Sequence, residues 1–418
     1  MSSLALGPSA ATSALFIVHL FTGRLSGMNT SHLSRAFLVF GLVVLASLVK
    51  AAPPEAGKIA SIDEALKPFI AQNEIAGAVT LVVSKDKVLH LSVIGESDRT
   101  AHVPMKTDDL FWIASMTKPV TGVCITMLVE EGKLNFEDPV SKYIAEFAEV
   151  KTPSGKLANL TIRHLMTHTS GLGEASSAQQ SGAKTLSDLI PFFVAKPTSF
   201  EPGSKWAYCQ SGINTLGRIV EVISGQSLPD FIAKRITGPL GMKDTTFYPS
   251  KEQQARIAHS YKKNGDKLEE AVVSLFAGKD LADTNRVPLA NGGLYSTASD
   301  YGRFCQMLLN NGTLDGKVYL KPESVKMLAS VHSGDVITGF TPGNGWGACV
   351  CIVREPQGVT GMLSAGTFGH GGAYGTQVWI DPVKGVAYVL MVQRSNFKNS
   401  DDSEVRKVFQ QAAVDSMK

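Results

Sequence analysis

The sequence predicts a fold of the α/β (α+β) class: an antiparallel sheet flanked by helices, carrying a mostly helical inserted subdomain. Three observations predict it. Between positions 77 and 94 the runs AVTLVVS and KVLHLSVI meet at Lys85-Asp86-Lys87, the pattern of a hairpin. Strand-like runs return only late, at 347–353, 373–380 and 385–392. Between these two regions, short helical stretches are divided by Gly, Ser and Pro, with little strand-like alternation.

Taken in order, 59–75 reads as a helix because Ile62, Ala65, Leu66 and Phe69 recur at three- and four-residue spacing. The hairpin follows. Phe111-Trp112-Ile113-Ala114 then leads into Ser115 and a helical stretch over 118–131, with Val120, Val123, Cys124, Met127 and Leu128 as its apolar stripe and Gly132 as its C-terminal stop. Short helices are expected at 160–166, 186–193, 212–224 and 229–236. The late strands 373–380 and 385–392 flank the turn Asp381-Pro382-Val383-Lys384. A closing helix over 402–417 is placed beside the first. The expected domains are therefore 55–134 with 286–418 as the α/β part and 135–285 as the helical subdomain, with the active site at their interface.

Residues 1–51 read as a signal peptide or signal anchor. Positions 36–49 carry no charge, Arg35 and His32 precede them, and Val49-Lys50-Ala51 and Pro53-Pro54 follow. Fourteen such residues fit a signal-peptide core better than a bilayer span, which needs about 20. Cleavage near Ala51 implies export, periplasmic or secreted, and a retained segment implies a membrane anchor. Met28 is an alternative start.

Composition excludes other classes. The 418 residues are 44% hydrophobic and 18% charged, too apolar for a disordered polymer. The net charge of +3 comes without a dense basic block, which argues against nucleic-acid binding. Cys124, Cys209, Cys305, Cys349 and Cys351 are odd in number, and no His cluster accompanies them at ligand spacing, so neither a metal nor a cofactor is expected. They read as small buried hydrophobes. No heptad run announces a partner chain, and the oligomeric state stays open.

Three segments can carry chemistry. In Ser115-Met116-Thr117-Lys118, at the first turn of a helix, positions i and i+3 share a face, so the amine can approach the hydroxyl. A serine becomes a nucleophile when a neighbour takes its proton, and a lysine can do so once burial lowers its pKa. The same spacing also arises as a helix cap beside a solvated lysine. In Tyr208-Cys209-Gln210, a phenol stands ready as proton shuttle and an amide as substrate contact, or else both simply pack and cap the next helix. In His370-Gly371-Gly372-Ala373, glycines at a strand edge let a substrate approach the backbone, and the N–H groups of Ser115 and Ala373 can together receive an oxyanion. His370 can bond substrate or the Ser115–Tyr208 pair, or serve only as a turn histidine.

In this order the segments resemble the serine beta-lactamase and penicillin-binding-protein-like superfamily, in particular its class C beta-lactamase-like hydrolases: family VIII carboxylesterases, D-aminopeptidases and D-Ala-D-Ala carboxypeptidases. Further matching pieces are Ile162 to Leu172 (IRHLMTHTSGL), Glu201-Pro202-Gly203, Asn291-Gly292-Gly293-Leu294 and Tyr374-Gly375-Thr376. The resemblance implies a beta-lactamase/transpeptidase-like fold with helices on both sheet faces. It implies Ser115 as the nucleophile of an acyl-enzyme, Lys118 and Tyr208 for proton transfer, Gln210 and His370-Gly371-Gly372 as substrate contacts, and Ser115 with Ala373 as the oxyanion hole. Segment 250–285 and Trp346 are expected to wall the cleft.

Two positions depart from the beta-lactamase pattern. Gln210 replaces asparagine, which moves the amide by about one bond length. His370 replaces lysine, which removes the permanent cation that would meet a substrate carboxylate. Both favour a carboxylesterase on short-chain acyl esters, with weak beta-lactam hydrolysis as a side activity. The alternatives are a D-aminopeptidase or amidase, a beta-lactamase or D-Ala-D-Ala carboxypeptidase, and a non-enzymatic binding homologue.

Overall fold

The computed structural model describes residues 61–339, 341–398 and 400–417. The expected leader, 1–51, lies outside the described residues.

The first helix, α1 (Ser61–Ala71), buries Ile62 and Leu66 on one side. It leads into β1 (Gly77–Ser84) and β2 (Val88–Asp98), which pair antiparallel with Val79 opposite Val93 and Leu81 opposite Leu91. On its other edge β1 pairs antiparallel with β10 (Val386–Met391), so the early hairpin completes a sheet whose remaining strands come from the end of the chain. The sheet has eight strands in the order β6-β7-β8-β9-β10-β1-β2-β3, with β3 at Val103–Pro104, β6 at Asn344–Trp346, β7 at Cys351–Val353, β8 at Phe368–Gly371 and β9 at Gln377–Asp381. Central β1 is covered on both faces, which is why it reads as a near-continuous apolar run broken only by buried Thr80 before its terminal Ser84.

Side chains alternate between the two faces. Ala78, Val82, Trp379, Tyr388 and Leu390 pack with α1 and the closing helix α5 (Glu404–Asp415). Val79, Leu81, Val83, Val378 and Val389 face a larger core containing α2 (Thr117–Glu130) and α4 (Ala298–Leu309). Terminal helices α1 and α5 lie side by side, joined by the Ser61 and Ser416 hydroxyls at 2.7 Å.

Helix α2 is buried all round rather than along one stripe: every residue from Thr117 to Leu128 is buried. It runs inside the larger core and packs against α3 (Gln210–Ser224), and only its last two residues, Val129 and Glu130, are partly exposed. Among the described residues no helix is long and apolar enough to cross a membrane.

The structure corrects two strand boundaries. The expected strand 347–353 begins only at Cys351, as β7, because the chain reverses at 347–350 between β6 and β7: Cys349 adopts φ 60° and the Gly347 N–H bonds the Val350 carbonyl. The expected strand 373–380 begins only at Gln377, and His370 lies on a strand of its own, β8, opposite Val378. Gly375 at φ 94° breaks the run between them. The stretch 135–285 holds short helices and one hairpin, β4 (Tyr261–Asn264) with β5 (Lys267–Glu270). Its turn, Asn264-Gly265-Asp266, with Gly265 at φ 58°, was a legible hairpin signal. All five cysteines are free; four are buried and Cys351 is half-buried.

Gly122 gives a test of how α2 is held. A Cβ there would overlap the Ala348 carbonyl oxygen, and backbone cannot yield as a side chain can. On an exposed helix Gly→Ala stabilises by about 1 kcal/mol. Here Gly122→Ala is expected to destabilise by about 1–3 kcal/mol, and an unchanged or raised melting temperature in calorimetry would refute that packing.

Candidate active site

The approach to Ser115 is fixed from several sides. Strand residues Phe111–Trp112 pair with Tyr295–Ser296, the Trp112 indole donates to the Gly292 carbonyl at 2.7 Å, and the Gln393 amide donates to the Trp112 carbonyl at 2.9 Å. Ala114 then takes φ 45°, a left-handed conformation that costs a non-glycine residue energy. Ser115 follows in a tight turn over Ala114–Met116 that opens into α2. The hydroxyl therefore sits at a helix mouth, half-buried, with Lys118 one turn further on.

Lys118 and Tyr208 converge on this hydroxyl. The Lys118 amine lies 2.9 Å from Ser115 Oγ, and the Tyr208 hydroxyl lies 2.9 Å from the same atom. Lys118 is fully buried and also donates to Gln210 Oε1 at 2.9 Å and to the Asn291 carbonyl at 2.8 Å. Burial pushes its pKa from the usual 10.5 down to about 7, so a large share of the amine is neutral near neutrality. Burial also holds the Tyr208 phenol well above 10, against the opposing hydrogen bond to Ser115, so the resting phenol keeps its proton.

His370, on β8, reaches Tyr208 with Nε2 at 3.4 Å from the phenolic oxygen. Its Nδ1 is 2.7 Å from the Gly371 carbonyl, which can only accept, so Nδ1 carries the proton and Nε2 is an acceptor. Burial first, and then the nearby Lys118 charge, push its pKa down to about 3. His370 is thus neutral throughout the working range.

Gln210 is the first residue of α3, and its side-chain oxygen is turned onto Lys118 while also accepting from the Asn291 amide at 2.8 Å. Gly372 packs so closely on the Ile113 carbonyl that a Cβ would clash with it. Ala373 is exposed in the turn between β8 and β9. Trp346, expected as a cleft wall, is buried behind the site, 5.3 Å from the His370 ring and 6.0 Å from that of Tyr208. From the segment 250–285, Phe276 meets Trp112 edge-on at 5.8 Å.

Three contributors had no role in the sequence reading. Asn291 holds the lysine through its carbonyl, a backbone contact that no side-chain pattern announces. Buried His168 stacks on Tyr208 at 4.5 Å and accepts the Cys209 N–H at Nδ1, 3.1 Å, which fixes the loop carrying the phenol. Glu174 accepts from the Gln210 and Ser211 N–H groups at 2.5 and 3.0 Å, capping α3 with a carboxylate. The motif around His168 and the Gly-rich run at Asn291 were the available signals. Among the described residues no group of His, Cys, Asp and Glu could hold a metal ion.

A family model described as Beta-lactamase matches residues 62–413. The chain belongs to the beta-lactamase family. It is 35% identical over 351 residues to Protein Rv1367c of Mycobacterium tuberculosis, a match covering 76% of this chain and 86% of the relative. It is 28% identical over 359 residues to Esterase EstB of Burkholderia gladioli, covering 79% and 89%. Among solved structures, EstCE1, a hydrolase with promiscuous acyltransferase activity, superposes with a TM-score of 0.73 at 22% identity, over 86% of this chain and 98% of that one, which shows the shared fold. Like its family, the chain is a serine hydrolase.

Two outcomes follow from the charge states. Below about pH 7 Lys118 is protonated and cannot accept a proton, so kcat/KM for a neutral ester is expected to rise with pH through about 7 and then level. The same limb is expected in His370→Gln, since His370 titrates near 3; a limb that vanishes in that variant would assign it to the histidine. Stability gives the second outcome. In the unfolded chain the amine stays protonated up to about 10.5, whereas in the folded protein it loses its proton near 7. The full cost of burying it is therefore present below pH 7 and declines as pH rises towards 10.5. The stability of Lys118→Met relative to the parent should fall by roughly 1.4 kcal/mol per pH unit across that window. Urea melts at pH 6 and 9 that give the same difference would contradict the shifted lysine.

Proposed function

We propose that this serine hydrolase is a carboxylesterase that cleaves short-chain, uncharged acyl esters through an acyl-Ser115 intermediate. The observation that carries the reading is the convergence of a fully buried amine and a protonated phenol on one hydroxyl, each at 2.9 Å.

In the reading, neutral Lys118 takes the Ser115 proton as Oγ attacks the ester carbonyl. The developing oxyanion is received by the N–H groups of Ser115 and Ala373. The Tyr208 phenol gives its proton to the departing alkoxide and is restored from the Lys118 ammonium. Water then attacks the acyl-enzyme, its proton passes to the same pair, and Ser115 leaves with a proton as the acid is released. Gln210 and Asn291 keep the amine aimed at Oγ throughout.

Substrate charge follows from the surroundings. A neutral His370 gives a substrate carboxylate no cation to pair with, and Glu174 places a carboxylate on the exposed side of α3. Both disfavour beta-lactams and peptides ending in a free carboxylate and leave uncharged esters unaffected. The similarity to a relative named an esterase supports the same choice.

The test is a panel of p-nitrophenyl butyrate, nitrocefin and D-alanyl p-nitroanilide, run on the parent and on Ser115→Ala. Turnover of the ester is expected to exceed that of the other two and to vanish in the variant. Lys118→Ala is expected to lower kcat by about 10²-fold or more. Faster cleavage of the anilide would replace the esterase by a peptidase, and sustained nitrocefin turnover by a beta-lactamase.

A further inference from the structure

Behind the site, on the opposite face of the sheet from Ser115, α5 carries a fully buried arginine, Arg406. Its guanidinium donates to three backbone carbonyls of the turn that joins β8 to β9: Gly372 at 2.9 Å, Gly375 at 3.4 Å and Thr376 at 2.5 Å. Its fourth partner is the Asp401 carboxylate at 2.6 Å. A Cβ on Gly371 would overlap both Asp401 and this guanidinium, so the grip accounts for the glycine there. From the other side, Gly372 rests on the Ile113 carbonyl, two residues before Ser115.

The geometry of one peptide unit turns this grip into a functional statement. There are no cis peptide bonds among the described residues, so the N–H of Ala373 points opposite to the carbonyl of Gly372. That carbonyl faces Arg406, on the side of α1 and α5. The Ala373 N–H is thereby directed to the other side, where α2 and Ser115 lie. We propose that Arg406 is a positioning residue for catalysis, holding the turn 372–376 by its carbonyls so that the Ala373 N–H stays aimed at the oxyanion. This rests on the assignment of that N–H to the oxyanion under the esterase reading. A lysine could not replace the arginine, because a single ammonium lacks the planar fork needed to span three carbonyls and a carboxylate.

The experiment compares the parent with Arg406→Lys, Arg406→Ala and Asp401→Asn. Active sites are counted by fluorophosphonate labelling, so that misfolded molecules drop out, and p-nitrophenyl butyrate kinetics are expressed per labelled site. Arg406→Lys and Arg406→Ala are expected to lose about 30-fold or more in kcat, the scale of a misdirected oxyanion donor, with KM within about twofold. Phenylboronic acid, which forms a tetrahedral adduct on the serine, should lose affinity in parallel, and millimolar guanidinium should restore part of kcat to Arg406→Ala. If neither arginine variant folds, Asp401→Asn carries the test: Asp401 is half-buried, its loss loosens the guanidinium, and kcat per site should fall several-fold. Folded variants with parental kcat per site and parental boronate affinity would overturn the proposal, as would an unaltered Asp401→Asn when the arginine variants do not fold. Ester turnover that depends on Ser115 but is indifferent to Arg406 sinks this inference alone, whereas turnover that survives Ser115→Ala sinks the reading beneath it.

Discussion

A lysine amine enclosed in a protein core is stable only if it can shed its charge or find a carboxylate, and Lys118 has been given the first course. Its three hydrogen-bond partners are neutral oxygens: a hydroxyl, an amide and a backbone carbonyl. The carboxylates nearby are each committed elsewhere. Glu174 is spent on the N-terminus of α3, and Asp401 is paired with Arg406. Had either turned to the amine, the ammonium would be favoured and Lys118 would have no capacity to accept a proton at neutral pH. The proposed role of Lys118 beside Ser115 depends on this arrangement of charges, and much of the local architecture maintains it.

The same enclosure acts on the other two titratable groups in opposite senses. It keeps Tyr208 protonated and His370 neutral, because in each case burial disfavours the charged form. The centre thus contains an amine near its titration point, a phenol that can donate and an imidazole that can only accept at Nε2. No fixed positive charge touches the Ser115 hydroxyl. That electrostatic profile is what supports the proposed preference for a substrate without a carboxylate.

Packing explains why so many glycines and backbone atoms take part. Gly122 lets α2 lie against the Ala348 carbonyl, Gly372 lets the end of β8 rest on Ile113, and Gly371 leaves room for the Arg406–Asp401 pair. The Ser115 turn is thereby sandwiched between a helix, a strand end and the Asn291 loop. Displacing α2 or the Asn291 loop would move the Lys118 amine or its carbonyl partner.

Much of this was legible in the chain itself. The hairpin of β1 and β2, α2 and the closing helix follow from apolar period, and the spacing of Ser115 and Lys118 places both on one helical face. Tyr208, Gln210 and His370 were recognisable as candidates through their ordered resemblance to one superfamily. Local pattern could not show that the strands expected at 347–353 and 373–380 begin only at Cys351 and Gln377, since the turns before them depend on a left-handed Cys349 and on the grip of Arg406. Nor could it reveal Asn291, His168 and Glu174 as supports, because they act through backbone contacts and stacking across long separations in sequence. Residue types and their spacing are carried by the chain, and these determined the fold class and the candidate nucleophile. The proton affinity of Lys118, the neutrality of His370 and the direction of the Ala373 N–H were decided only by the tertiary structure, because each depends on burial and on which distant atoms arrive within hydrogen-bonding reach.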